Sequence, residues 1–321
     1  MVGEISFKGK TKLLADDVIK LKSSTEEQPK TGIKVMANKY DYYEKASMFR
    51  FTQDLISSNA KLSSLTTNLA DIPDFDRDKF TYSIQVSAME TEITLFPVPE
   101  DKHSIITIDD EIVNVETGIV VPLKNMSEIS SRTRIVIDVL AEDGVTTERY
   151  ILNVEKQGGF LQGAVITANT LGTHHATIKV YRSDQYIDWK NTNSTELDEY
   201  ELVAQTDTYD DGIFQLVLPI GKYDILIDKA GYLDYIVKGV PITQRNTYSI
   251  GNKQITPGDI IKDGIVKLTD KTAFLKAYGT EQGTEGYNEA CDFVEDGIIK
   301  LTDQSIFLKN YGLEKTIETI N

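Results

Sequence analysis

Between residues 58 and 156, apolar and polar positions alternate with a period of two. The runs are Phe80, Tyr82, Ile84 and Val86; Ile93 and Leu95; Ile106 and Ile108; Ile135, Ile137 and Val139; and Tyr150, Leu152 and Val154. Successive side chains of a strand point to opposite faces, so this pattern predicts strands half-buried against a core. Glu142-Asp143-Gly144, between the last two runs, is a hairpin-turn signal. Many short strands between turn residues predict a two-sheet sandwich over 58–156. The alternation resumes within 157–255, where Phe214, Leu216 and Leu218 follow Asp211-Gly212, and Tyr223, Ile225 and Ile227 follow a Pro219-Ile220-Gly221 turn. A second antiparallel sandwich is expected there. Residues 1–57 mix strand-like Ile5 and Phe7 with a charged stretch ending at Pro29-Lys30 and an aromatic run from Tyr40 to Phe51. This segment is too polar to bury a core alone, and it reads as the last strands of an upstream β module plus a linker.

The period changes at Thr269 and again at Thr302. Phe274, Leu275 and Tyr278 share one helix face by their spacing, as do Phe307, Leu308 and Tyr311, with Gly279 and Gly312 placed as C-terminal caps. The predicted fold class is mainly β, two antiparallel β-sandwiches followed by a small α-helical pair within 256–321. Thr256-Pro257-Gly258 is too short for a flexible linker, so the helical pair is expected to pack on the second sandwich.

The helical segment contains a duplication. Asp259–Gly279 and Asp292–Gly312, 33 residues apart, are identical at 13 of 21 positions. Two copies cannot form a solenoid, so the duplicated motif is itself the unit. Counting the first Asp as position one, Asp259, Asp263 and Asp270 fall at one, five and twelve, with Gly264 at the sharp turn of position six. Asp292, Asp296, Asp303 and Gly297 repeat this. That is the spacing of a calcium loop, in which a hard cation is held by oxygens. The backbone carbonyls of Ile265 and Ile298, at position seven, would each add a ligand, and Val266 and Ile299 at position eight would pair across the two loops.

Three resemblances follow from these residues. LSSLTTNLADIPDFDRDKFTYSIQV with TRIVIDVLAEDGVTTERYILNVEK resembles the cadherin-like β-sandwich repeats of bacterial surface proteins, which implies a spacer. TYDDGIFQLVLPIGKYDILIDKAGYLDYIVKGVPIT resembles carboxypeptidase-regulatory-like folds, and more narrowly the X-module of cellulosomal scaffolding proteins. GDIIKDGIVKLTDKTAFLKAYG and its copy resemble the two segments of a type II dockerin. The dockerin resemblance implies calcium, a cohesin domain as partner, and a docking surface at the loop–helix junctions: Leu268, Thr269, Lys276, Leu301, Thr302 and Lys309, all unchanged between the copies. Two departures bear on calcium. Position three holds Ile261 and Val294, and position nine holds Lys267 and Lys300. Either the site is weakened and completed by water, or it is metal-free with the Lys ammonium neutralising the Asp cluster.

The 321 residues carry 34 Lys and Arg against 50 Asp and Glu, a net charge of −16 that disfavours nucleic acid and anionic lipid as partners. Cys291 is the sole cysteine, so disulfides within the chain and zinc–thiolate clusters are excluded. No apolar run approaches the roughly 20 residues of a spanning helix. His103 stands alone, His174-His175 reads as a loop or strand edge, and no nucleophile, zincin or phosphate-loop motif is present. Trp189 belongs to a loop of the second sandwich, as local core or as contact surface. The expectation is a non-catalytic assembly protein, extracellular or on a cell surface as part of a longer secreted bacterial protein. The alternative is the C-terminal part of a secreted carbohydrate-active enzyme with its catalytic domain upstream.

Overall fold

The computed structural model describes residues 56–126, 132–169 and 172–320 in full. Ahead of them only backbone pairing is described: β1 (Val2–Ser6) antiparallel to β4 (Met48–Thr52), and β2 (Val18–Lys20) antiparallel to β3 (Gly32–Lys34). The side chains of the Tyr40–Phe51 run, and the packing that would test residues 1–57 as a module remnant, lie outside the described residues. The chain divides into two compact units, the first ending at Val154 and the second built mainly from Glu155–Asn321.

In the first unit the predicted alternation becomes strands β5 (Leu62–Thr67), β6 (Thr81–Ser87), β7 (Glu92–Pro99), β8 (Ile105–Ile108), β9 (Glu111–Ile112), β10 (Ile119–Pro122), β11 (Arg132–Leu140) and β12 (Thr147–Gln157). They form a three-stranded sheet, β10-β7-β5, and a five-stranded sheet, β6-β12-β11-β8-β9. The alternating apolar residues meet between the sheets: Leu62, Ile93, Leu95, Ile108, Ile137, Val139, Tyr150 and Leu152 are fully buried. A buried tyrosine needs a partner for its hydroxyl. Tyr150 accepts from the Leu62 amide at 3.1 Å and donates to the Arg77 carbonyl at 2.7 Å, tying β5 and the β5–β6 loop to β12.

The second unit has β13 (Gly159–Ile166), β14 (Thr177–Arg182), β15 (Leu202–Asp207), β16 (Ile213–Leu218), β17 (Gly221–Asp228), β18 (Tyr235–Ile242) and β19 (Thr247–Gln254), then helices α1 (Leu268–Ala277) and α2 (Leu301–Asn310) and a last strand β20 (Thr316–Thr319). Its sheets run β16-β13-β19 and β15-β14-β17-β18-β20. Two pairings correct the antiparallel expectation: β13 with β19, and β18 with β20, are parallel. Parallel neighbours need a long crossover. Strand β19 and the loop–helix pair together form that crossover between β18 and β20, so the chain leaves the sheet, crosses the opposite sheet as β19, builds the helices and returns to the first sheet's edge. Among the described residues, helix is confined to those beyond 267 apart from short 3-10 turns.

The sandwich and the helices share one core, in which Phe274, Phe293 and Phe307 join Tyr232, Val237 and Val240. Phe274 stacks on Phe293 and on Phe307 at centroid separations of 6.1 and 5.5 Å. Trp189 resolves to local core. It is buried with Tyr181, Leu226 and Ile236, and its Nε1 donates to the buried Asp224 carboxylate at 2.6 Å.

Candidate metal loops and docking face

Each loop is organised around two buried carboxylates, at positions one and twelve. Asp259 accepts from the Asp263 and Gly264 amides, both at 3.0 Å. Asp270 accepts from the Ile261 amide at 2.9 Å and the Lys267 amide at 3.0 Å. The second loop repeats the plan: Asp292 accepts from Asp296 and Gly297, and Asp303 from Phe293, Val294 and Lys300. The apolar residues at position three therefore supply backbone N–H rather than side-chain oxygen. Gly264 and Gly297, at φ +86° and +81°, make the sharp turn that a side chain would strain.

The loops differ in what their carboxylates face. In the first, Asp259, Asp263 and Asp270 each bring an oxygen within 4.8 Å of the others, an all-oxygen donor set that fits a hard divalent cation. Burial pushes the Asp259 carboxyl up to about 6 against the opposing pull of the two amides and of the Lys262 charge. Lys267 is the nearest ammonium at the rim, 2.7 Å from Asp263, and that contact raises its own pKa. In the second loop Lys300 pairs with Asp296, and Tyr287 donates its hydroxyl to Asp292 at 2.8 Å. Among the described residues, Asp292, Asp296 and Asp303 do not converge as the first three do.

Val266 and Ile299 do not pair with each other, correcting the expectation from position eight. Val266 donates to the Leu313 carbonyl and accepts from Gly312, while Ile299 donates to Thr280 and accepts from Gly279. Each loop thus pairs with the chain leaving the opposite helix. Gly279 and Gly312, at φ +85° and +87°, serve these crossed ladders two residues past the helix ends.

Phe274 and Phe307 point inward, but Leu275 and Leu308 do not, because adjacent residues on a helix are 100° apart and only one can face the core. The exposed faces therefore carry Leu268 (66%) with Leu275 (52%), and Leu301 (66%) with Leu308 (53%). Thr269, Lys276, Thr302 and Lys309 are exposed beside them. Leu275 and Leu308 are members of this face that periodicity alone misassigned.

Loop position four, absent from the expectations, anchors the pair to the sandwich. Lys262 (φ +60°) inserts its ammonium beside Asp228 at 3.0 Å and Asp234, and donates to the Tyr232 carbonyl at 2.8 Å. Burial opposes its charge, but the two carboxylates outweigh that and raise its pKa. Its counterpart Glu295 (φ +56°) pairs with Lys229 at 2.8 Å and accepts from Asn169 at 2.8 Å. Tyr232 donates to the Phe293 carbonyl at 3.1 Å, and Lys253 pairs with Glu318 of β20. Cys291 is buried and its thiol pushed up to about 12 by desolvation. His103 is not alone, since Asp101 and Glu142 lie beside it. His174 Nδ1 lies 3.0 Å from the Thr167 hydroxyl, in a loop. Among the described residues no helix is long and apolar enough to cross a membrane.

Residues 62–157 match the family model of the cadherin-like beta sandwich domain. A protein of Evansella cellulosilytica, named as a membrane protein, is 32% identical over 103 residues, which are 32% of this chain and 15% of that protein's length. Among solved structures, an interface mutant of the type II cohesin–X–dockerin complex of Acetivibrio cellulolyticus aligns over 49% of this chain and 97% of its own, at 21% identity and a TM-score of 0.37. The major pilin subunit of Bacillus cereus aligns over 60% and 71% at 10% identity, with a TM-score of 0.25.

Proposed function

We propose that this chain is a non-catalytic assembly module of an extracellular complex, in which the first sandwich acts as a spacer and the loop–helix pair is a dockerin that binds a cohesin domain. The observation that carries the reading is the repeated apolar face. Leu268 with Leu275, and Leu301 with Leu308, stay outside the core in both copies, at nearly equal exposure. Apolar residues flanked by Thr and Lys are the composition of an interface centre with a polar rim. Calcium belongs to the first loop in this reading, held by Asp259, Asp263, Asp270 and the Ile265 carbonyl. The second loop, with Asp292, Asp296, Asp303 and Ile298, stays metal-free in this reading, because the Tyr287 hydroxyl takes an Asp292 oxygen and the three carboxylates do not converge.

The test is a calorimetric titration of the full chain against a panel of type I and type II cohesins. One cohesin class should bind, and Leu268→Asp with Leu301→Asp should weaken it at least about 30-fold, the loss of a central apolar anchor of about 2 kcal/mol. Both positions are exposed helix starts where Asp is tolerated, and Trp189 fluorescence checks the fold. Unaltered affinity in the folded double variant would remove this surface.

A further inference from the structure

A second group of ligand-type side chains lies in the first unit, far in sequence from the loops. Asp101 and His103 occupy the turn between β7 and β8, and Glu142 the turn between β11 and β12; β8 and β11 are paired neighbours in one sheet. His103 Nδ1 is 3.3 Å from Asp101 Oδ1 and 3.8 Å from Glu142 Oε2, and the three ligand atoms all fall within 4.8 Å of one another. Ligands of a tetrahedral zinc ion, with bonds of about 2.0–2.2 Å, stand about 3.3–3.5 Å from each other. Two edges of the triangle, at 3.3 and 3.8 Å, are therefore near the size such an ion requires before any ion is added.

The positions of all three are set by the fold. Glu142 Oε2 accepts from the Ser57 amide at 3.2 Å, and the Asp143 amide in turn donates to the Ser57 carbonyl at 3.1 Å. Asp101 accepts from the His103 amide at 3.0 Å through Oδ1 and from the Ser57 side chain, and each carboxylate oxygen has a second lone pair for a further partner. One imidazole and two carboxylates on strand-connecting turns match a mixed nitrogen–oxygen donor set. Zinc accepts that set, whereas calcium takes six to eight oxygens. His103 is half exposed and Asp101 mostly covered, so a fourth position opens to water.

We propose that Asp101, His103 and Glu142 form a zinc site that clips the two turns at this end of the first sandwich. The proposal is independent of cohesin binding. It is tested by titrating zinc chloride into the untagged full chain, stripped of metal and held in excess calcium so that the acidic loops are occupied. One equivalent should bind, and His103→Gln and Glu142→Gln should each weaken that event at least about tenfold, the loss that even removal of a ligand's partner produces. His175→Gln, whose imidazole lies 3.4 Å from Asp210, serves as the control and should change nothing. Cobalt substituted for zinc should give the intense visible absorption of a four-coordinate ion, lost in His103→Gln. No zinc heat in the presence of calcium, or an affinity unchanged by His103→Gln, would overturn the site. All three substitutions are on turns, and matched melting curves without metal verify that the variants are folded.

Discussion

Replacing Lys262 with Met should destabilise the second unit by about 3 kcal/mol. The ammonium is buried, and it is shared by Asp228 and Asp234, with Asp234 itself almost wholly inaccessible. Removing one partner of a buried ion pair costs about 3–5 kcal/mol, because the other charge stays in a medium that solvates it poorly. The lower end applies, since Asp228 keeps Lys179 at 3.0 Å and Asp234 keeps the Ser194 amide at 2.9 Å. Methionine fills the stem of the lysine, so little packing is lost. For a unit of this size about 3 kcal/mol corresponds to a fall in Tm of about 6–12 °C. The assay is urea and thermal unfolding followed by Trp189, the sole tryptophan, which is buried in the same unit and reports it selectively. Asp234→Asn in the Lys262→Met background should recover part of the loss by removing the stranded charge. A loss below about 1 kcal/mol, or no recovery in the double variant, would refute the buried-pair account. Trp189 unfolding in a transition distinct from loss of the helices would refute a single cooperative unit.

Three further outcomes follow from the loops and their anchor. Calcium at about 100 times its Kd should stabilise the second unit by about 2.7 kcal/mol; the stoichiometry should be near one, and Tyr287→Phe with Lys300→Asn, which frees Asp292 and Asp296, should raise it to two, whereas no heat and no Tm shift would favour the Lys-neutralised form of both loops. In chelator, Asp259 has a folded pKa of about 6, above its unfolded value, so it favours the folded state most below about pH 4 and that contribution is lost as pH rises through 6; Asp259→Asn should flatten the Tm profile over this window. Gly231→Ala should cost at least about 2 kcal/mol, because φ is +77° and the added Cβ would meet the Ala290 carbonyl oxygen at 2.0 Å. Unfolding in urea checks it.

The strands of the first sandwich were legible where one face is buried and the other wet, which writes a period of two into the sequence; in the second only β16 and β17 were marked, and β17 buries both faces from Tyr223 to Ile227. Pairing direction is not written there. Nothing in the alternation of β13 or β19 distinguishes a parallel neighbour from an antiparallel one. β20 was hidden for a different reason: Thr316–Thr319 is largely exposed, and its place depends on backbone pairing with β18 and on Glu318 reaching Lys253. The acidic loop positions were legible from spacing, whereas the outward turn of Leu275 and Leu308 was not, because periodicity cannot tell which of two adjacent apolar residues the core will take. Lys262 left one usable signal. It and Glu295 are the one charge reversal at equivalent positions of a repeat identical at 13 of 21, and such a divergence marks where two copies meet different surroundings.

That divergence explains why a nearly two-fold pair of helices is held in one orientation. The sandwich offers adjacent Asp228 and Lys229; the first takes Lys262 and the second takes Glu295. Rotating the pair by its internal two-fold would set Glu295 toward the Asp228–Asp234 pocket and Lys262 toward Lys229. Each charge would then be buried against its like, which is strongly unfavourable. Phe274 and Phe307 are interchangeable in such a rotation, whereas Phe293, which packs on Phe274 and Tyr232, has Ile260 as its counterpart, so the charges and this one aromatic position both provide orientation. Exchanging the two residues, Lys262→Glu with Glu295→Lys, isolates that role because composition and net charge are unchanged. The connections through Thr256-Pro257-Gly258 and β20 prevent the pair from simply turning over, so the exchange should lower stability more than Lys262→Met does. A stability equal to that of the natural chain would mean that the connections alone fix the orientation.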